Sequence, residues 1–239
     1  MKKVLLSWSS GKDSAWALHV LRQQGEFEVA GLLTTINSAF DRVAMHSTRR
    51  ILVELQAAAA ALPLMTIPLP WPCSNAEYET TLKCACDQAL EQGFSGIAFG
   101  DLFLEDIRAY REQQLKGTGL EPLFPIWGRA TDKLARTMIK SGLKAKLVCV
   151  DPKQLNPAFA GRDFDLQLLS ELPHGVDPCG ENGEFHSFVY AGPMFSGEMR
   201  IRTGERVERD GFNFCDVLPA DHQEDSECAL RPFGSAQSN

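Results

Sequence analysis

The first two thirds of the chain alternate between short, wholly apolar runs and longer segments of mixed polarity. The apolar runs, at residues 4–6, 29–35, 64–68, 96–99 and 146–150, predict buried β-strands. The mixed segments, at residues 15–21, 48–61, 74–92, 104–116 and 131–140, predict helices. Strands that are apolar throughout and separated by helices are typical of parallel sheets covered on both faces. The pattern therefore predicts an α/β fold with a parallel, five-stranded, doubly wound sheet.

The pattern changes near Asp151, where short apolar runs separated by glycine and proline turns replace the longer alternation. A helix is predicted over residues 163–172, and strands are predicted at 187–191, 199–202 and 212–217. We therefore divide the chain into a domain at residues 1–150 and a smaller C-terminal α/β domain at residues 151–220. Residues 221–239 are polar and small, which predicts a disordered tail.

The stretch Ser9-Ser10-Gly11-Lys12-Asp13-Ser14, here called the Ser9–Ser14 loop, lies between the first predicted strand and the first predicted helix. Such a loop is typical of phosphate binding, because free backbone N–H groups and the positive end of the helix dipole point at the anion. Lys12 adds a positive charge, and the hydroxyls of Ser9 and Ser14 add donors. The stretch is not a Walker A loop, because Leu6 stands where that motif needs its first glycine.

Two further segments follow predicted strands, namely Thr34-Thr35-Ile36 and Gly100-Asp101. In open parallel sheets, ligands bind outside the carboxyl ends of the strands, near the point where the strand order reverses. We therefore expect both segments to lie on one rim of the sheet with the Ser9–Ser14 loop.

A second concentration of polar chemistry precedes the strand predicted at 187–191. It holds two carboxylates, an amide and an imidazole among glycines: Gly180, Glu181, Asn182, Gly183, Glu184 and His186. Glycines at this density allow the backbone to turn tightly near a ligand. Carboxylates can hold Mg²⁺, steer a cationic amine or act as a general base. A solvated turn accounts equally well for this segment when it is taken alone.

The two motifs together resemble a known family. The Ser9–Ser14 loop resembles the PP-loop of ATP pyrophosphatases, usually Ser-Gly-Gly-Lys-Asp-Ser; Ser10 fits that loop if its φ is below zero. Residues 180–185 resemble the second signature of the diphthine–ammonia ligase family, Gly-Glu-x-Gly-Glu-Phe/Tyr. Further resemblances lie at Met45-His46-Ser47, at 100–108 and at 155–162. Over residues 3–218 the chain is therefore similar to an N-type PP-loop ATP pyrophosphatase of the diphthine–ammonia ligase-like family.

The resemblance implies an N-terminal ATP-binding domain with a HUP-type, adenine nucleotide α-hydrolase-like sheet, followed by a substrate domain. It implies cleavage of ATP to AMP and pyrophosphate. A carboxylate or carbonyl of a small molecule or protein would thereby be activated for attack by ammonia or an amine. ATP and Mg²⁺ are the implied cofactors.

The resemblance and the loop chemistry also suggest roles for individual residues. The expected catalytic residues are Lys12, which would stabilise the departing pyrophosphate, Asp13, Glu181 and Glu184. The expected ATP-binding residues are Ser9, Ser10, Gly11, Lys12, Ser14, Thr34, Thr35, Ile36, His46 and Gly100. The expected substrate-binding residues are Asp101, Arg108, Gly180, Asn182 and His186. The expected metal ligands are Asp13 and Asp101.

Three departures from the usual family pattern suggest the bacterial branch, whose acceptor is unassigned. His186-Ser187 replace the Glu-Thr usual in the archaeal and eukaryotic ligases, and residues 100–106 are more acidic than their counterpart. The sequence also lacks the extra C-terminal domain of the eukaryotic enzymes. Two other functions stay open: a sulfur-inserting PP-loop enzyme acting on RNA, and a non-catalytic sensor of ATP or AMP.

Composition narrows these functions. The formal net charge of −7 argues against a general nucleic-acid binder and against the RNA enzyme. The seven cysteines lack regular spacing, which argues against a disulfide framework. No apolar run approaches the roughly 18 residues of a membrane span, so we predict a cytoplasmic protein without membrane partners. A homodimer is one option for its assembly, which the sequence does not fix.

Overall fold

The computed structural model describes residues 1–43 and 47–220. Six strands form the first sheet: β1 (Lys2–Ser7), β2 (Phe27–Asn37), β3 (Arg42–Val43), β4 (Leu64–Leu69), β5 (Gly96–Ala98) and β6 (Glu121–Leu123). Five of them are parallel, in the order β4-β2-β1-β5-β6, and β3 pairs antiparallel with the end of β2. The predicted five-stranded parallel sheet is thus confirmed. The strand order reverses between β1 and β5.

Five helices accompany this part of the chain: α1 (Lys12–Gln24), α2 (Arg50–Ala59), α3 (Asn75–Glu91), α4 (Glu105–Leu115) and α5 (Thr131–Lys140). Local sequence sets their ends. Gly25 adopts a left-handed φ of 65°, and its N–H donates to the Leu21 carbonyl where α1 ends. Ser74 and Glu77 form a capping box that begins α3.

The first sheet is covered on both faces. Successive residues of β1 point to opposite sides, so that Val4 and Leu6 pack in one apolar cluster with α1. Leu5 packs in the other cluster, with residues of α3 such as Ala89. This two-sided burial explains why the strands are apolar throughout.

The second sheet has the order β8-β7-β10-β9 and is antiparallel. Its strands are β7 (Lys144–Val150), β8 (Phe185–Ala191), β9 (Ile201–Arg209) and β10 (Phe212–Pro219). Between β7 and β8 lie a short 3-10 helix, Pro157–Phe159, and α6 (Leu166–Glu171). The smaller C-terminal α/β unit is therefore present.

The placement of β7 corrects one expectation. The apolar run at 146–150 was expected to be the last strand of the parallel sheet, but β7 pairs antiparallel with β8 and β10. The fifth parallel strand is β6, which has only three residues and contains Pro122. A fully buried strand has the same apolar composition in either kind of sheet, and a proline is tolerated at a sheet edge.

The change of sheet falls between Leu123 and Lys144, before residue 150. The division of the chain into separate units at residue 150 stays a prediction. His46 and the predicted tail at 221–239 lie outside the described residues. None of the helices within the described residues has the length and apolarity that crossing a membrane requires.

Candidate functional site

The Ser9–Ser14 loop contains a strained residue. Ser10 has a φ of +69°, in the left-handed region that residues other than glycine rarely adopt. The condition of a negative φ at this position is therefore not met. The Ser10 carbonyl instead accepts hydrogen bonds from the Val189 N–H at 3.1 Å and from Gln56 Nε2 at 3.0 Å. Its hydroxyl lies 2.8 Å from Thr48 Oγ1, so three contacts hold the strained conformation.

Gln56 on α2 links the loop to both sheets. It is fully buried, and its Oε1 accepts a hydrogen bond of 2.8 Å from Trp8 Nε1. Its Nε2 also donates to the Val189 carbonyl of β8 at 2.6 Å. Gln56 was not among the predicted site residues. The available signal was a glutamine four positions after Leu52, on the apolar face of an alanine-rich helix.

The loop ends at an open helix N-terminus. The N-cap residue Gly11 has no side chain to cap the helix, and in the first turn the Lys12 N–H donates to Ser187 Oγ at 3.1 Å. Ser9 Oγ and Ser14 Oγ lie 3.1 Å apart, and Ser14 Oγ donates to the Gly11 carbonyl at 3.0 Å. The other first-turn N–H groups and the helix dipole favour an anion at this point. A Cβ on Gly11 would lie 3.2 Å from the Ser187 carbonyl, so a glycine allows the close approach of β8.

Lys12 is buried beneath the loop. Its Nζ donates to Asp13 Oδ2 at 2.8 Å and to the carbonyl of Cys179. The ammonium also lies 5.7 Å from the ring centroid of Phe164 and 5.4 Å from that of Phe185. Burial is the largest influence and opposes the charge, but Asp13, Cys179 and Glu181 together outweigh it and keep the pKa of Lys12 above its ordinary value. Lys12 therefore stays charged. Its hydrogen bonds join the loop to residues 177–184, which precede β8 and are here called the acidic segment.

Gly100 brings the end of β5 against the same loop. A Cβ at this position would lie 2.8 Å from both the Asp13 carbonyl carbon and the Ser14 nitrogen. These are backbone atoms, so a side chain could be accommodated only by moving the loop. The structure thus brings Gly100 and the Ser9–Ser14 loop together, as the topology predicts.

A cleft of about 280 Å³ opens beside the loop at the carboxyl ends of β1, β2, β4 and β5. We call it the strand-end cleft. Its polar lining residues are Ser7, Ser9, Thr34, Thr35, Tyr78, Arg111 and Gln114, and the remaining lining is largely apolar. The predicted residues Ser9, Thr34 and Thr35 therefore share one cavity. Ile36 is fully buried in the apolar core, so its side chain does not face this cavity.

Three polar atoms on residues that line the strand-end cleft are buried without a hydrogen-bond partner within the described part of the chain. They are Thr34 Oγ1, Arg111 Nε and Gln114 Nε2. Buried polar atoms are normally paired, because leaving one unpaired costs about 1–3 kcal/mol. The cleft therefore presents polar groups suited to a polar ligand that the protein itself does not supply.

Two arginines on α4 have different surroundings. Arg111 lines the strand-end cleft, and its Nε forms an ion pair with Asp101 Oδ2 at 3.6 Å, a distance too long for a hydrogen bond. The guanidinium of Arg108, expected to bind substrate, lies 4.8 Å from the Phe124 ring and 4.9 Å from the Trp127 ring. Arg108 also pairs with Glu112 at 2.8 Å. Arg111, which lies one helical turn from Arg108, is thus the better placed of the two to contact a ligand in the strand-end cleft.

Glu181 extends from the acidic segment towards the end of β5. Its Oε1 accepts a hydrogen bond of 2.7 Å from the Leu102 N–H. Burial raises the pKa of Glu181 to about 7, although this hydrogen bond opposes the rise. Nearby Asp13 raises it further. A carboxyl group that titrates near neutral pH beside the loop can both release and accept a proton.

Glu184 and Asn182 form hydrogen bonds within the turn that precedes β8. Glu184 is buried, and its Oε1 accepts hydrogen bonds from the Asp177 N–H at 2.8 Å and from Asn182 Nδ2 at 3.1 Å. Gly180 has a φ of +68°, and a Cβ there would lie 2.8 Å from the Phe185 carbonyl. The roles predicted for these residues in catalysis and substrate binding stay predictions.

Two further groups of this region stay neutral. Burial, with a contribution from Lys12, lowers the pKa of His186 to about 4, so its imidazole is uncharged at neutral pH. Burial raises the pKa of the Cys179 thiol well above its ordinary value, and Sγ lies 3.5 Å from the Thr131 carbonyl. A protonated thiol is a poor nucleophile.

The predicted metal ligands are partly suited to Mg²⁺. Asp13 Oδ1 and Asp101 Oδ2 are buried without hydrogen-bond partners. Within residues 1–43 and 47–220, however, no group of three or more His, Cys, Asp or Glu side chains could hold a metal ion. Mg²⁺ that is bound through nucleotide phosphates needs only one or two carboxylates and keeps several waters. Asp13 and Asp101 are suited to a Mg²⁺ ion that is bound mainly through phosphates, and they do not by themselves form a complete metal site.

Comparison with known proteins shows which family the chain matches. Residues 1–122 match the family described as "Diphthamide synthase N-terminal domain", and residues 130–220 match "Diphthamide synthase C-terminal domain". The first family match ends at residue 122 and the second begins at residue 130. This boundary precedes β7, as does the change from the first sheet to the second. The diphthine–ammonia ligase of Bos taurus is 28% identical over 180 residues, covering 69% of this chain and 67% of that protein. That of Danio rerio is 27% identical over 230 residues, covering 87% and 90%.

One solved structure is also similar, described as a predicted subunit of tRNA methyltransferase from Methanocaldococcus jannaschii. It is 17% identical, with a TM-score of 0.42, over 66% of this chain and 84% of that chain. This likeness is too low to bear on function.

Proposed function

Because the chain belongs to the diphthamide synthase family, we propose that it is an ATP-dependent ligase that releases AMP and pyrophosphate. In this reaction it joins ammonia or an amine to an activated carboxylate. The observation that carries the proposal is the strand-end cleft beside the Ser9–Ser14 loop. There an open helix N-terminus adjoins a cavity of nucleoside size, lined by residues with unpartnered polar atoms.

In this proposal the adenosine lies in the strand-end cleft and the phosphates extend over the Ser9–Ser14 loop. Apolar lining such as Ile67 and Phe99 would pack on the base and ribose. Thr34, Arg111 and Gln114 would supply the polar contacts that fix its orientation. The backbone N–H groups of α1 would bind phosphate oxygens, and the charge of Lys12 would favour the anion from beneath the loop.

The proposed chemistry has two steps. A carboxylate oxygen of the acceptor attacks the α-phosphorus, the bond to the β-phosphate oxygen breaks, and pyrophosphate leaves. The nitrogen of ammonia or an amine then attacks the acyl carbon, AMP leaves, and the nitrogen loses a proton. Glu181 is the proposed base for that proton, since its pKa of about 7 allows it to be ionised in a large fraction of molecules at neutral pH.

Mg²⁺ would be held by Asp13 and Asp101 together with phosphate oxygens. When bound, it would neutralise part of the charge of the triphosphate. The residues themselves orient the loop, since Asp13 pairs with Lys12 at 2.8 Å.

The other two functions have less support. A sulfur-inserting enzyme needs a reactive thiolate, and burial raises the pKa of four of the six cysteines within the described residues, namely Cys86, Cys149, Cys179 and Cys215. A sensor would not need a carboxyl group of raised pKa beside the loop, where Glu181 lies. Membership of the bacterial branch, a cytoplasmic location and a homodimer stay predictions.

The test is nucleotide product analysis with ATP, Mg²⁺ and ammonia, in the presence of cell extract as the source of acceptor. We expect AMP and pyrophosphate in equal amounts. Glu181→Gln should bind ATP normally by calorimetry but lose most AMP formation. Glu91→Gln, at an exposed position on α3, is the matched control. Formation of ADP would contradict the proposed reaction. Unchanged AMP formation by Glu181→Gln would contradict the assignment of Glu181 as the base.

A further inference from the structure

A second cleft, of about 220 Å³, lies between the end of β2 and the second sheet. We call it the aromatic cleft. Its lining includes the rings of Phe40, Trp71, Phe212 and Phe214, together with Arg42, Arg209 and His186. We propose that this cleft binds the acceptor, and that the acceptor is a small molecule in which a planar ring carries a carboxylate. This inference rests on the proposed function and names the substrate class that the function leaves open.

The ring preference follows from the walls. Phe40 and Trp71 meet edge to face with centroids 5.9 Å apart, and Phe212 and Phe214 lie 6.5 Å apart. Trp71 is 57% exposed and Phe212 is 37% exposed, which is unusual for large apolar side chains grouped at one cavity. Aromatic walls bind flat rings well, because offset and edge-to-face contacts add to the burial of apolar area.

The floor of the cleft is a row across the second sheet. Cys149 of β7 pairs with His186 of β8 on one side and with Phe214 of β10 on the other. Burial raises the pKa of the Cys149 thiol to about 12 and lowers that of the His186 imidazole to about 4. Both groups are therefore neutral, and the floor contributes no charge.

The carboxylate preference follows from the charges at the cleft. Asp216 accepts hydrogen bonds from both Arg42, at 2.9 Å, and Arg49, at 2.6 Å, so two guanidinium groups share one carboxylate. Arg209 adds a third guanidinium, 5.0 Å from the Phe214 ring, and its pKa is lowered by burial and by Arg42. Asp210 lines the cleft as well. Arg42, Arg209 and Asp210 therefore line the cleft, whereas Arg49 and Asp216 lie outside its lining and join the cluster through Arg42. The cluster holds three arginines and two aspartates, and its net positive charge favours an anionic ligand.

The position of the cleft suits the proposed reaction. Val43 lines both the aromatic cleft and the strand-end cleft, so the two cavities share a wall. His186 points to the opposite face of β8 from its two neighbours, which contact Lys12. It still lies close enough for the Lys12 charge to lower its pKa. The Phe185 ring lies under the Lys12 ammonium, and Ser187 Oγ accepts the Lys12 N–H at 3.1 Å. A carboxylate in the aromatic cleft would therefore lie near the loop that the nucleotide phosphates would occupy.

The size of the cleft limits the ligand. Its volume of about 220 Å³ is below the roughly 300–1,000 Å³ of pockets for drug-sized ligands. One ring with a short substituent fits such a volume, and two fused ring systems with long chains do not.

The test uses pyridine-3-carboxylate as the probe and its methyl ester as the uncharged control. Trp71 is well exposed, Trp127 is half-buried, and Trp8 and Trp16 are buried. The part of the fluorescence quenching that disappears in Trp71→Phe therefore reports on Trp71. We expect saturable quenching by the acid at millimolar concentrations, and about tenfold weaker quenching by the ester. Calorimetry on Trp71→Phe, which keeps a ring, should still detect binding of the acid.

Two variants separate the ring contacts from the charge. Phe212→Ala should weaken binding of the acid about tenfold, and Arg209→Gln should remove the preference for acid over ester. Leu166→Ala, at an exposed apolar residue of α6, is the control and should bind the acid normally. Equal binding of acid and ester, no saturable binding, or no effect of Phe212→Ala would overturn the proposal.

ATP titration of the same variants distinguishes this proposal from the function beneath it. Phe212→Ala and Arg209→Gln should bind ATP as the unchanged protein does. Loss of ATP binding in both variants would show that the aromatic cleft belongs to the nucleotide site, against the proposal. Failure of the unchanged protein to bind ATP would contradict the proposed function, and the acid–ester comparison would still decide whether the cleft binds a carboxylate.

Discussion

The backbone N–H of Lys12 donates a hydrogen bond of 3.1 Å to Ser187 Oγ, although 175 residues separate the two in sequence. Ser10 and Val189 are joined by a backbone hydrogen bond of the same length. The Ser9–Ser14 loop emerges from the first sheet, but the edge strand β8 of the second sheet fixes its conformation. Nucleotide binding at the loop should therefore depend on residues of β8 that do not touch the nucleotide.

Removing the Ser187 hydroxyl tests this dependence. Ser187→Ala leaves the Lys12 N–H buried without its partner, which should lower the free energy of unfolding by about 1–2 kcal/mol. It should also weaken ATP binding, because the first turn of α1 loses its anchor. Ser187→Thr keeps a hydroxyl and should restore much of both losses. Urea unfolding and calorimetric ATP titration measure the two effects, and equal behaviour of the alanine and threonine variants would contradict the anchoring role.

Thr34 offers a test in which stability and binding change in opposite directions. Thr34→Val removes a buried hydroxyl that has no hydrogen-bond partner within the described residues, so the protein without nucleotide should be stabilised by about 1 kcal/mol. ATP binding should weaken by about tenfold, since the hydroxyl is available only to a ligand. Thermal unfolding with and without ATP measures both quantities.

The control is Thr48→Val, because the Thr48 hydroxyl lies 2.8 Å from Ser10 Oγ. That variant should be destabilised by about 1 kcal/mol. Stabilisation by Thr48→Val, or destabilisation by Thr34→Val, would show that the Thr34 hydroxyl is not held unpaired for a ligand.

Gly100 tests the contact between the end of β5 and the loop. Gly100→Ala would place a Cβ 2.8 Å from backbone atoms of Asp13 and Ser14, so the start of α1 must move. ATP affinity should fall by more than about tenfold, because a displacement of the loop disturbs every phosphate contact at once. Gly197→Ala is the matched control, since no atom lies within 4 Å of the added Cβ. Equal ATP affinity of the two variants would remove this contact from the site.

Glu181 makes the stability depend on pH. Its pKa is about 7 in the folded protein against an ordinary value of 4.5, so the folded state binds the proton more tightly. The stabilisation is complete below about pH 4.5 and is lost as the pH rises through about 7. Glu181→Gln removes this loss. Relative to the unchanged protein, the variant should gain about 1–3 kcal/mol in its free energy of unfolding between about pH 5 and pH 8.

Urea unfolding at several pH values measures that difference, and titrations common to both proteins cancel in it. Glu91→Gln, at an exposed position on α3, is measured alongside as the control variant. A flat difference for Glu181→Gln would mean that the Glu181 carboxyl group has an ordinary pKa.

Most of the fold could be predicted from the sequence, because strands that are buried on both faces appear as continuous apolar runs. α5 was expected at 131–140 and is observed at Thr131–Lys140. The apolar run of β7 was also recognised, but partner choice among strands depends on contacts across the chain, so it was assigned to the wrong sheet. Strand β6, at Glu121–Leu123, was not predicted as a strand, because three residues that include a proline carry little strand signal.

The candidate site was predictable where chemistry is local and unpredictable where it is tertiary. The Ser9–Ser14 loop and residues 180–184 carry recognisable local patterns. The sign of φ at Ser10 depends on Gln56, Thr48 and Val189, none of which is close in sequence. Likewise the choice of Arg111 over Arg108 depends on which side of α4 faces the cleft.

The pairing of the loop with β8 has a consequence for the order in which the site can form. During synthesis the loop is made first, and its partners at Cys179, Ser187 and Val189 follow more than 160 residues later. Contacts this distant in sequence are slow to form, because the entropy of closing a long chain segment is lost first. A ribosome-bound chain that ends before β8 therefore has the first sheet in full and no finished loop, so nucleotide binding reports that nearly the whole described chain has folded.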